Sequence, residues 1–270
     1  MLVPAPVSVD EVNRSEMSKP SAVAHYSRRD DLSAAEEAAL SGVASAARGK
    51  KILDIGVGGG RTVGALKKIS LDYLGIDNST SMVSACQRRF ADTSFEVMDA
   101  RAMSSVSDAS VYLAMFSCNG IGMVSHADRL LILQEVFRVL EPGGVFLFST
   151  HNQNSADCEA GFQWPEFEVS GNPARFLVRL ARFCKQVPVR WTRRRKLRSL
   201  EIRTPQYSIV NDVCHDYGVM LYYISLTEQR RQLEALGYAR NAVAYDLAGA
   251  LVTADSKDSS LMLVARKPLD

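Results

Sequence analysis

The stretch that decides the fold is Leu53-Asp54-Ile55-Gly56-Val57-Gly58-Gly59-Gly60-Arg61-Thr62. An apolar strand runs into a glycine-rich turn and then into a predicted helix, so a ligand can lie against bare backbone there. A dinucleotide fingerprint would carry glycine where Arg61 stands. The pattern Asp-x-Gly-x-Gly-x-Gly instead favours a ligand with a small zwitterionic tail. We expect the loop amides and Arg61 to meet its carboxylate, and Asp54 to meet or organise the surroundings of its ammonium.

Polar side chains also follow the next three predicted strands. Asp77 ends the second strand, 21 residues after Gly56. A carboxylate there accepts both hydroxyls of a ribose and repels a 2′-phosphate. Asp99 ends the third strand, where an adenine amino group would find an acceptor, and Ser117 and Asn119 follow the fourth. Because ligands of such sheets bind outside the carboxyl ends of the strands, these positions predict one continuous nucleoside site.

Strands and helices alternate along most of the chain. Ser33, with Glu36 three residues later, predicts a capped helix that ends at Gly49. The remaining patterns predict strands over 51–55, 71–76, 94–98, 109–116, 145–149, 238–245 and 260–266, and helices over 61–68, 79–90, 128–140 and 227–236. This order predicts an α/β fold, namely a doubly wound, mostly parallel, seven-stranded sheet with helices on both faces.

The alternation breaks after His151, and the segment that follows is rich in proline and in basic residues. We therefore divide the chain into an N-terminal arm and helix, a core in two pieces, and an inserted cap. Their ranges are 1–44 for the arm and helix, 45–152 and 218–270 for the core, and 153–217 for the cap. Residues 1–24 lack periodicity and predict a loose or partner-dependent arm.

Composition narrows the protein class. The chain has 270 residues, of which 47% are hydrophobic and 23% charged, so a wholly disordered chain is excluded. The longest charge-free run, residues 109–127, is too polar for a bilayer span, and the N-terminus lacks the basic start of a secretory signal. The five cysteines form no CxxC pair, which favours reduced thiols in a cytoplasm over a disulfide scaffold or a zinc site. No metal site is predicted.

Several motifs together resemble the class I S-adenosylmethionine-dependent methyltransferases, and within them the generic bacterial group called type 11. They are LDIGVGGGRT (53–62), GIDNSTSMV (75–83), EVMDAR (96–101), FSCNGIG (116–122) and RVLEPGGVFLFSTHN (138–152). The resemblance covers residues 45–152 and, more loosely, the end of the chain. It implies a Rossmann-like fold whose last strand is antiparallel to the others. It also implies S-adenosylmethionine as cofactor and S-adenosylhomocysteine as product.

The resemblance further assigns parts of the cofactor to residues of this chain. The glycine loop would hold the methionine part, Asp77 the ribose hydroxyls and Asp99 the adenine, whose ring Met82 and Ala100 would flank. The complete set of predicted cofactor-binding residues is Tyr26, Asp54, Gly56, Gly58, Arg61, Asp77, Asn78, Met82, Asp99, Ala100, Phe116, Ser117 and Asn119.

Methyl transfer needs alignment above all, and a general base only when the acceptor is protonated. Tyr26 lies in an arm that members of the family often fold over the cofactor, and its ring would face the sulfonium. The catalytic candidates are His151, His215 and Tyr217. Each role has a structural alternative. Tyr26 would then only pack in the core, and His151 would only form a hydrogen bond at the end of its strand. His215 and its neighbouring acids are poorly placed to coordinate a metal ion, because they all lie in one short segment.

A basic stretch runs from Arg175 to Arg203, with eleven Lys/Arg and one acid, Glu201. It is either a solvated helix face or a surface that attracts an anionic acceptor. A third interpretation is a basic amphipathic helix that touches a membrane surface. Nucleic acid is disfavoured, because no RNA-binding module accompanies the charges.

The sequence thus predicts methyl transfer to a small-molecule acceptor in specialised metabolism, by a monomer or homodimer, with the methylated atom left open. Methylation of tRNA or protein through the basic stretch is the alternative. The second alternative is a nicotinamide-dependent oxidoreductase, and Arg61 in the glycine loop argues against it.

Overall fold

The N-terminal arm is helical, which corrects the prediction of a loose segment. The computed structural model describes residues 8–269, so the first seven residues of that prediction lie outside the described part. Helix α1 spans Val9–Met17 and α2 spans Pro20–Tyr26. Ser8 and Glu11 form a capping box, in which each side chain accepts a hydrogen bond from the other residue's amide. This reciprocal pair stabilises the first turn of α1.

The predicted helix after Ser33 is confirmed as α3, Ala34–Ala47, with a capping box between Ser33 and Glu36. Five strands then form the parallel part of the sheet. They are β1 Ile52–Ile55, β2 Tyr73–Asp77, β3 Ser94–Val97, β4 Val111–Phe116 and β5 Leu140–His151. Their spatial order is β3-β2-β1-β4-β5, and all neighbours run parallel. The strand order reverses between β1 and β4, which is where a doubly wound sheet opens a crevice for ligands.

The helices between these strands cover both faces of the sheet, as predicted. They are α4 Val63–Lys67, α5 Thr80–Arg89 and α6 His126–Val139. Leu40 of α3, Leu66 of α4 and Val83 of α5 share one apolar cluster with the sheet, whereas Leu133 of α6 lies in the cluster on the opposite face. The two clusters bury the sheet on both sides, which holds the carboxyl ends of the strands in fixed positions.

A long helix and a small antiparallel unit follow β5. Helix α7 spans Pro173–Leu197, 25 residues, and continues through Pro188. The antiparallel strands are β6 Ile202–Arg203, β7 Ser208–Asp212 and β8 Val219–Tyr223. Strand β8 joins the main sheet through the pairing of Tyr223 with His151. The proposed border between cap and core, at 217/218, therefore falls inside the β7–β8 hairpin.

The chain returns to the sheet through α8, Leu226–Ala235, and three last strands. These are β9 Val243–Tyr245, β10 Leu251–Val252 and β11 Ser260–Arg266. Strand β11 pairs antiparallel with β5, which confirms the expected direction of the last strand. The seven predicted strands are all present, although the strand predicted over 238–245 is shorter and forms only β9. Within the described residues β10 and the β6–β8 unit extend the sheet to eleven strands.

Candidate functional site

A deep pocket lies at the carboxyl ends of β1, β2, β3 and β4 and encloses an empty volume of about 1200 Å³, its open mouth included. The structure brings most of the predicted cofactor residues together around it. Those that line it are Tyr26, Gly56, Gly58, Arg61, Asp77, Asn78, Met82, Asp99, Ala100, Phe116 and Ser117. The other predicted site residues, which lie outside this lining, are Asp54, Asn119, His151, His215 and Tyr217.

The glycine loop forms the floor of the pocket. Gly56 adopts a left-handed φ of 61°, and a Cβ there would collide with the ring of Phe116. Gly58 is also left-handed, with a φ of 54°, and its amide donates a hydrogen bond to Asp77 Oδ2 at 2.9 Å. Only glycine satisfies both the backbone conformation and the close approach at Gly56.

Asp77 is held in one orientation by backbone amides. Its Oδ1 accepts from the amide of Ser79 at 2.8 Å, and its Oδ2 accepts from Gly58. Burial raises the pKa of the Asp77 carboxyl, and the two amide hydrogen bonds oppose that rise. A carboxylate oxygen has two lone pairs, so each oxygen retains one acceptor site. The arrangement suits two adjacent hydroxyl groups of one ligand.

Asp99 is tied to the arm through Arg101. The Arg101 guanidinium binds Asp99, with Nε to Oδ1 at 2.9 Å, and contacts Asp128 of α6 at 3.1 Å and Asp10 of α1 at 3.6 Å. Hydrogen bonds from Arg101 hold the pKa of Asp99 below its usual range, against the effect of burial. Asp10 and Arg14 of α1 also line the pocket. The adenine subsite expected at Asp99 therefore includes residues of α1 that the loose-arm prediction had set aside.

Asp54 lies beneath the pocket and does not reach it. The side chain is completely buried, and its Oδ2 accepts hydrogen bonds from the hydroxyls of Thr62 at 2.5 Å and Tyr73 at 2.7 Å. Burial raises the pKa of Asp54 to about 6, although both hydrogen bonds lower it. Direct contact between Asp54 and a ligand ammonium is not supported by this placement. The residue instead ties the glycine loop, through Thr62, to β2.

Arg61 lines the pocket, but its charge is already paired. The guanidinium binds Glu36 of α3 through two hydrogen bonds of 2.7 and 2.5 Å, and it also donates to the carbonyl of Asp31. Burial alone would raise the pKa of Glu36, but Arg61 and the Ser33 cap outweigh it and hold that pKa below its usual range. The contact of Arg61 with a ligand carboxylate stays a prediction. The ion pair itself fastens α3 to the glycine loop.

Replacing Glu36 with glutamine is expected to lower the free energy of unfolding by about 2 kcal/mol at neutral pH, because Arg61 loses its counter-charge in a buried position. Glu36 has a lowered pKa in the folded state, so its contribution is present above the unfolded pKa of about 4.3 and is lost as the pH falls. Urea unfolding from neutral to acidic pH measures this, with the exposed neighbour Glu37→Gln as control. A gap between wild type and variant that stays constant below about pH 4 would contradict it.

Asn13 fastens α1 over the site. Its Nδ2 donates to the carbonyls of Met123 and Met220, both at 2.7 Å, and its Oδ1 accepts from the amide of Met220 at 2.8 Å. The side chain is 2% exposed, and it completes the backbone pairing along one edge of β8. Further along the arm, a Cβ at Gly59 would collide with the backbone of Ser27, so the arm lies directly on the glycine loop.

Asn13→Ala is expected to lower the free energy of unfolding by about 2 kcal/mol, because buried backbone groups lose their partners. The arm should also become more sensitive to trypsin, whose sites include Arg14 in α1. The control is Ser21→Ala, an exposed serine on the same arm. Equal stability and equal cleavage rates for Asn13→Ala and the control would show that Asn13 does not hold the arm.

Tyr26 and His215 meet at the mouth of the pocket. Tyr26 Oη lies 3.2 Å from His215 Nε2, and the two rings stack with centroids 6.1 Å apart. Burial raises the pKa of Tyr26 to about 12, so the phenol is protonated at neutral pH. Burial also lowers the pKa of His215, which leaves the imidazole neutral at neutral pH. A neutral imidazole beside the pocket is able to accept a proton.

The turn that carries His215, Cys214–Tyr217, is strained. His215, Asp216 and Tyr217 have φ values of 53°, 53° and 59°, a left-handed conformation that costs about 1–2 kcal/mol for each residue other than glycine. Arginines of α7 hold it, since Arg193 donates to the His215 carbonyl at 2.6 Å and Arg190 donates to Asp216 at 2.7 Å. Strain of this kind is maintained only where neighbours fix it, and it is typical of functional sites.

The other catalytic candidates lie farther from the pocket. His151 stacks on Tyr223 with ring centroids 4.9 Å apart, and burial lowers its pKa to about 4. Tyr217 is 2% exposed, and its hydroxyl accepts from the amide of Gln163 at 2.7 Å. Asn119 is a left-handed residue whose amide donates to Ser149 Oγ at 2.7 Å. For Tyr217 this packing indicates a structural role rather than contact with a ligand.

Comparison with known proteins identifies the core. Residues 52–144 match a family described as a methyltransferase domain. The ubiquinone biosynthesis O-methyltransferase of Pseudomonas fluorescens is 28% identical over 109 residues, which are 39% of this chain and 46% of that protein. The corresponding Aliivibrio fischeri enzyme is 27% identical over the same shares. The chain thus matches less than half the length of these curated relatives.

Solved structures share the fold across nearly the whole chain. The 1,6-didemethyltoxoflavin N1-methyltransferase of Burkholderia thailandensis, with S-adenosylhomocysteine bound, has a TM-score of 0.57 at 14% identity and covers 98% of this chain and 93% of its own. A methyltransferase from Clostridium acetobutylicum has a TM-score of 0.60 at 10% identity, with coverages of 87% and 91%. Together with the matched domain, these likenesses leave the nicotinamide-dependent alternative without support. Residues 52–144 are thus matched as a methyltransferase domain, and the chain as a whole shares the fold of class I S-adenosylmethionine-dependent methyltransferases.

Proposed function

We propose that the protein transfers a methyl group from S-adenosylmethionine to a small-molecule acceptor. The observation that carries the proposal is Asp77, fixed by the amides of Gly58 and Ser79 at the rim of a glycine-floored pocket. The relatives support a small acceptor, since their names specify ubiquinone biosynthesis and didemethyltoxoflavin. We place the reaction in the cytoplasm, in keeping with five free thiols.

The residues around the pocket fit this cofactor. We propose that the glycine loop takes the methionine part and that Asp77 accepts the ribose hydroxyls. Asp99, Met82 and Ala100 would take the adenine, with Arg101 orienting Asp99. When bound, S-adenosylmethionine supplies an activated methyl group on a sulfonium, so the chain needs to contribute mainly alignment.

The chain's own residues supply alignment, water exclusion and proton transfer. The arm covers the glycine loop, and Asn13 anchors it, so the closed arm excludes water from the cofactor side. We propose His215 rather than His151 as the base, because His215 contacts the pocket-lining Tyr26. His215 would take the proton released when the acceptor atom forms its bond to the methyl carbon. Tyr26 orients the imidazole through its hydroxyl.

Two arginines of the basic stretch hold the protein's own backbone and are not free to bind an acceptor. Arg193 and Arg194, predicted to attract an anionic acceptor, donate to the carbonyls of His215 and Asn211. Replacing them would disturb the strained turn, so they are unsuitable probes of acceptor charge.

The experiment that tests the proposed function is a labelling screen. Purified protein is incubated with methyl-labelled S-adenosylmethionine and separated fractions of cell extract. The proposal expects label in a compound of low molecular mass. Label that enters only RNA or protein would favour the alternative of macromolecular methylation and overturn the small-molecule acceptor.

A further inference from the structure

Helix α7 carries a strong positive charge that the site uses only in part. Its 25 residues include nine Lys/Arg and no acid. Arginines in its second half hold the His215 turn, as described above. In the described residues 8–269, carboxylates pair with four of its cations: Arg179, Arg190, Arg193 and Arg194. Arg175, Arg182, Lys185, Arg195 and Lys196 have no such partner there.

The same helix presents apolar side chains to solvent. Leu177, Leu180, Cys184, Pro188 and Trp191 follow at spacings of three and four residues, so they form one stripe. Leu177 is 63% exposed, Leu180 37% and Trp191 58%. The helix has a second apolar side that packs on the protein, where Phe176 and Phe183 contact Phe167. Folding of the described chain therefore covers one apolar side of α7 and leaves the other in water.

An exposed tryptophan outside α7 extends this surface. Trp164, in the segment before α7, is 65% exposed. Phe162 contacts both Trp164 and Trp191, with ring centroids 5.4 and 5.8 Å apart.

Arg195 follows Trp191 by four residues, so it lies beside the stripe. Lys185 precedes Pro188 by three residues and also lies beside the stripe, and Lys196 lies about three turns after Lys185 on the same flank. Arg175 and Arg182 lie two residues from Leu177 and Leu180 and therefore face the opposite side. We call the apolar stripe, Trp164 and the free cations Lys185, Arg195 and Lys196 the α7 surface.

We propose that the α7 surface docks the protein on an anionic lipid bilayer. An amphipathic helix with leucine and tryptophan on one side and arginine and lysine beside them lies in the bilayer interface, where its apolar side chains leave water. Anionic headgroups attract the flanking cations. Across residues 8–269 no helix is long and apolar enough to cross a bilayer, so α7 would lie along the surface.

Two other occupants fit the α7 surface less well, one because of its charge and one because it lacks apolar surface. A second copy of the chain, packed through the same stripe, would bring two helices of nine cations each into contact, and neither carries an acid to compensate. Nucleic acid would match the charge, but it offers no apolar surface for Leu177 and Trp191. The proposal does not depend on the proposed methyl transfer, because it concerns only attachment.

Vesicle binding tests the proposal. The full chain is mixed with phosphatidylcholine vesicles that contain or lack phosphatidylglycerol, and bound protein is separated by flotation. We expect binding to the anionic vesicles only, weakened by salt. Lys185→Gln/Arg195→Gln/Lys196→Gln should lower the partition coefficient about a hundredfold, since each surface cation contributes about fivefold. Leu177→Gln/Leu180→Gln/Trp191→Gln should lower it about tenfold or more.

The matched control removes three exposed cations elsewhere, as Arg48→Gln/Lys68→Gln/Arg240→Gln, and should bind like wild type. Thermal unfolding checks that each variant folds. Three results would overturn the proposal: no binding to anionic vesicles, equal loss in the control, or a homodimer that the leucine variant abolishes. Binding to duplex DNA that ignores the leucine variant, without vesicle binding, would favour a nucleic-acid surface.

Discussion

Replacing Asp77 with alanine is expected to weaken the binding of S-adenosylhomocysteine by about a thousandfold. Each charge-assisted hydrogen bond contributes about 1.5–3 kcal/mol, and the proposed site makes two of them to the ribose hydroxyls. A loss of about 4 kcal/mol corresponds to about three powers of ten in the dissociation constant. The carboxylate also orders the glycine loop through Gly58, so its removal loosens the floor of the pocket as well.

Isothermal titration calorimetry measures this loss. The control is Asp92→Ala, since Asp92 is an exposed acid in a turn. It should keep the wild-type affinity. Asp77→Asn, which preserves the size of the side chain, should bind more tightly than the alanine variant and less tightly than wild type. Unchanged affinity of a folded Asp77→Ala protein would remove Asp77 from the ribose site.

The second large effect is expected at His215. Asparagine is the replacement of choice, because it tolerates the left-handed backbone of this turn. Turnover should fall by about a hundredfold or more, which is the usual contribution of a general base. The affinity for S-adenosylhomocysteine should stay within about twofold, because His215 lies outside the pocket lining.

The pH profile separates a base from a structural residue. Burial lowers the pKa of His215, so the wild-type rate should rise with pH through an inflection below the ordinary histidine value of about 6.5. His215→Asn should lose that inflection. His25→Gln, in an exposed neighbour of Tyr26, should keep the inflection, moved slightly upward because the charge of His25 contributes to the lowered pKa of His215. An intact inflection in His215→Asn, with the acceptor found by the labelling screen, would exclude His215 as the base.

The local part of the site was predictable from sequence. The glycine loop, Asp77 and Asp99 each follow a strand of the sheet, and the carboxyl ends of parallel strands meet at one edge. Their order along the chain was therefore enough to bring them together. The left-handed φ of Gly56 and Gly58 could likewise be predicted, because glycine is the residue that adopts this conformation without steric cost.

Contacts between distant segments were not predictable in this way. Asn13 reaches Met220, 207 residues away, and Tyr26 reaches His215, 189 residues away. No periodicity connects such positions, because the pairing depends on how the β7–β8 hairpin stands beside the arm. One signal was present and was overlooked: Ser8 and Glu11 have the same spacing as the capping box of α3, which marks α1 as a helix.

The roles of charged residues depended on burial that sequence does not reveal. Arg61 was expected to face a ligand carboxylate, which stays a prediction, and its pairing with Glu36 was not foreseen. Asp54 was expected near an ammonium, and Thr62 and Tyr73 surround it below the loop. In both cases the residue type was informative about the neighbourhood, and only the packing of α3 and β2 decided the partner.

The central claim is that the glycine-floored pocket holds S-adenosylmethionine by its ribose at Asp77. A crystal structure of the protein with S-adenosylhomocysteine tests it most directly. Both ribose hydroxyl oxygens should lie within hydrogen-bond distance of the Asp77 carboxylate, about 2.5–3.0 Å, with the methionine part along the glycine loop. Electron density for the ligand elsewhere, or a ribose that does not contact Asp77, would contradict the account.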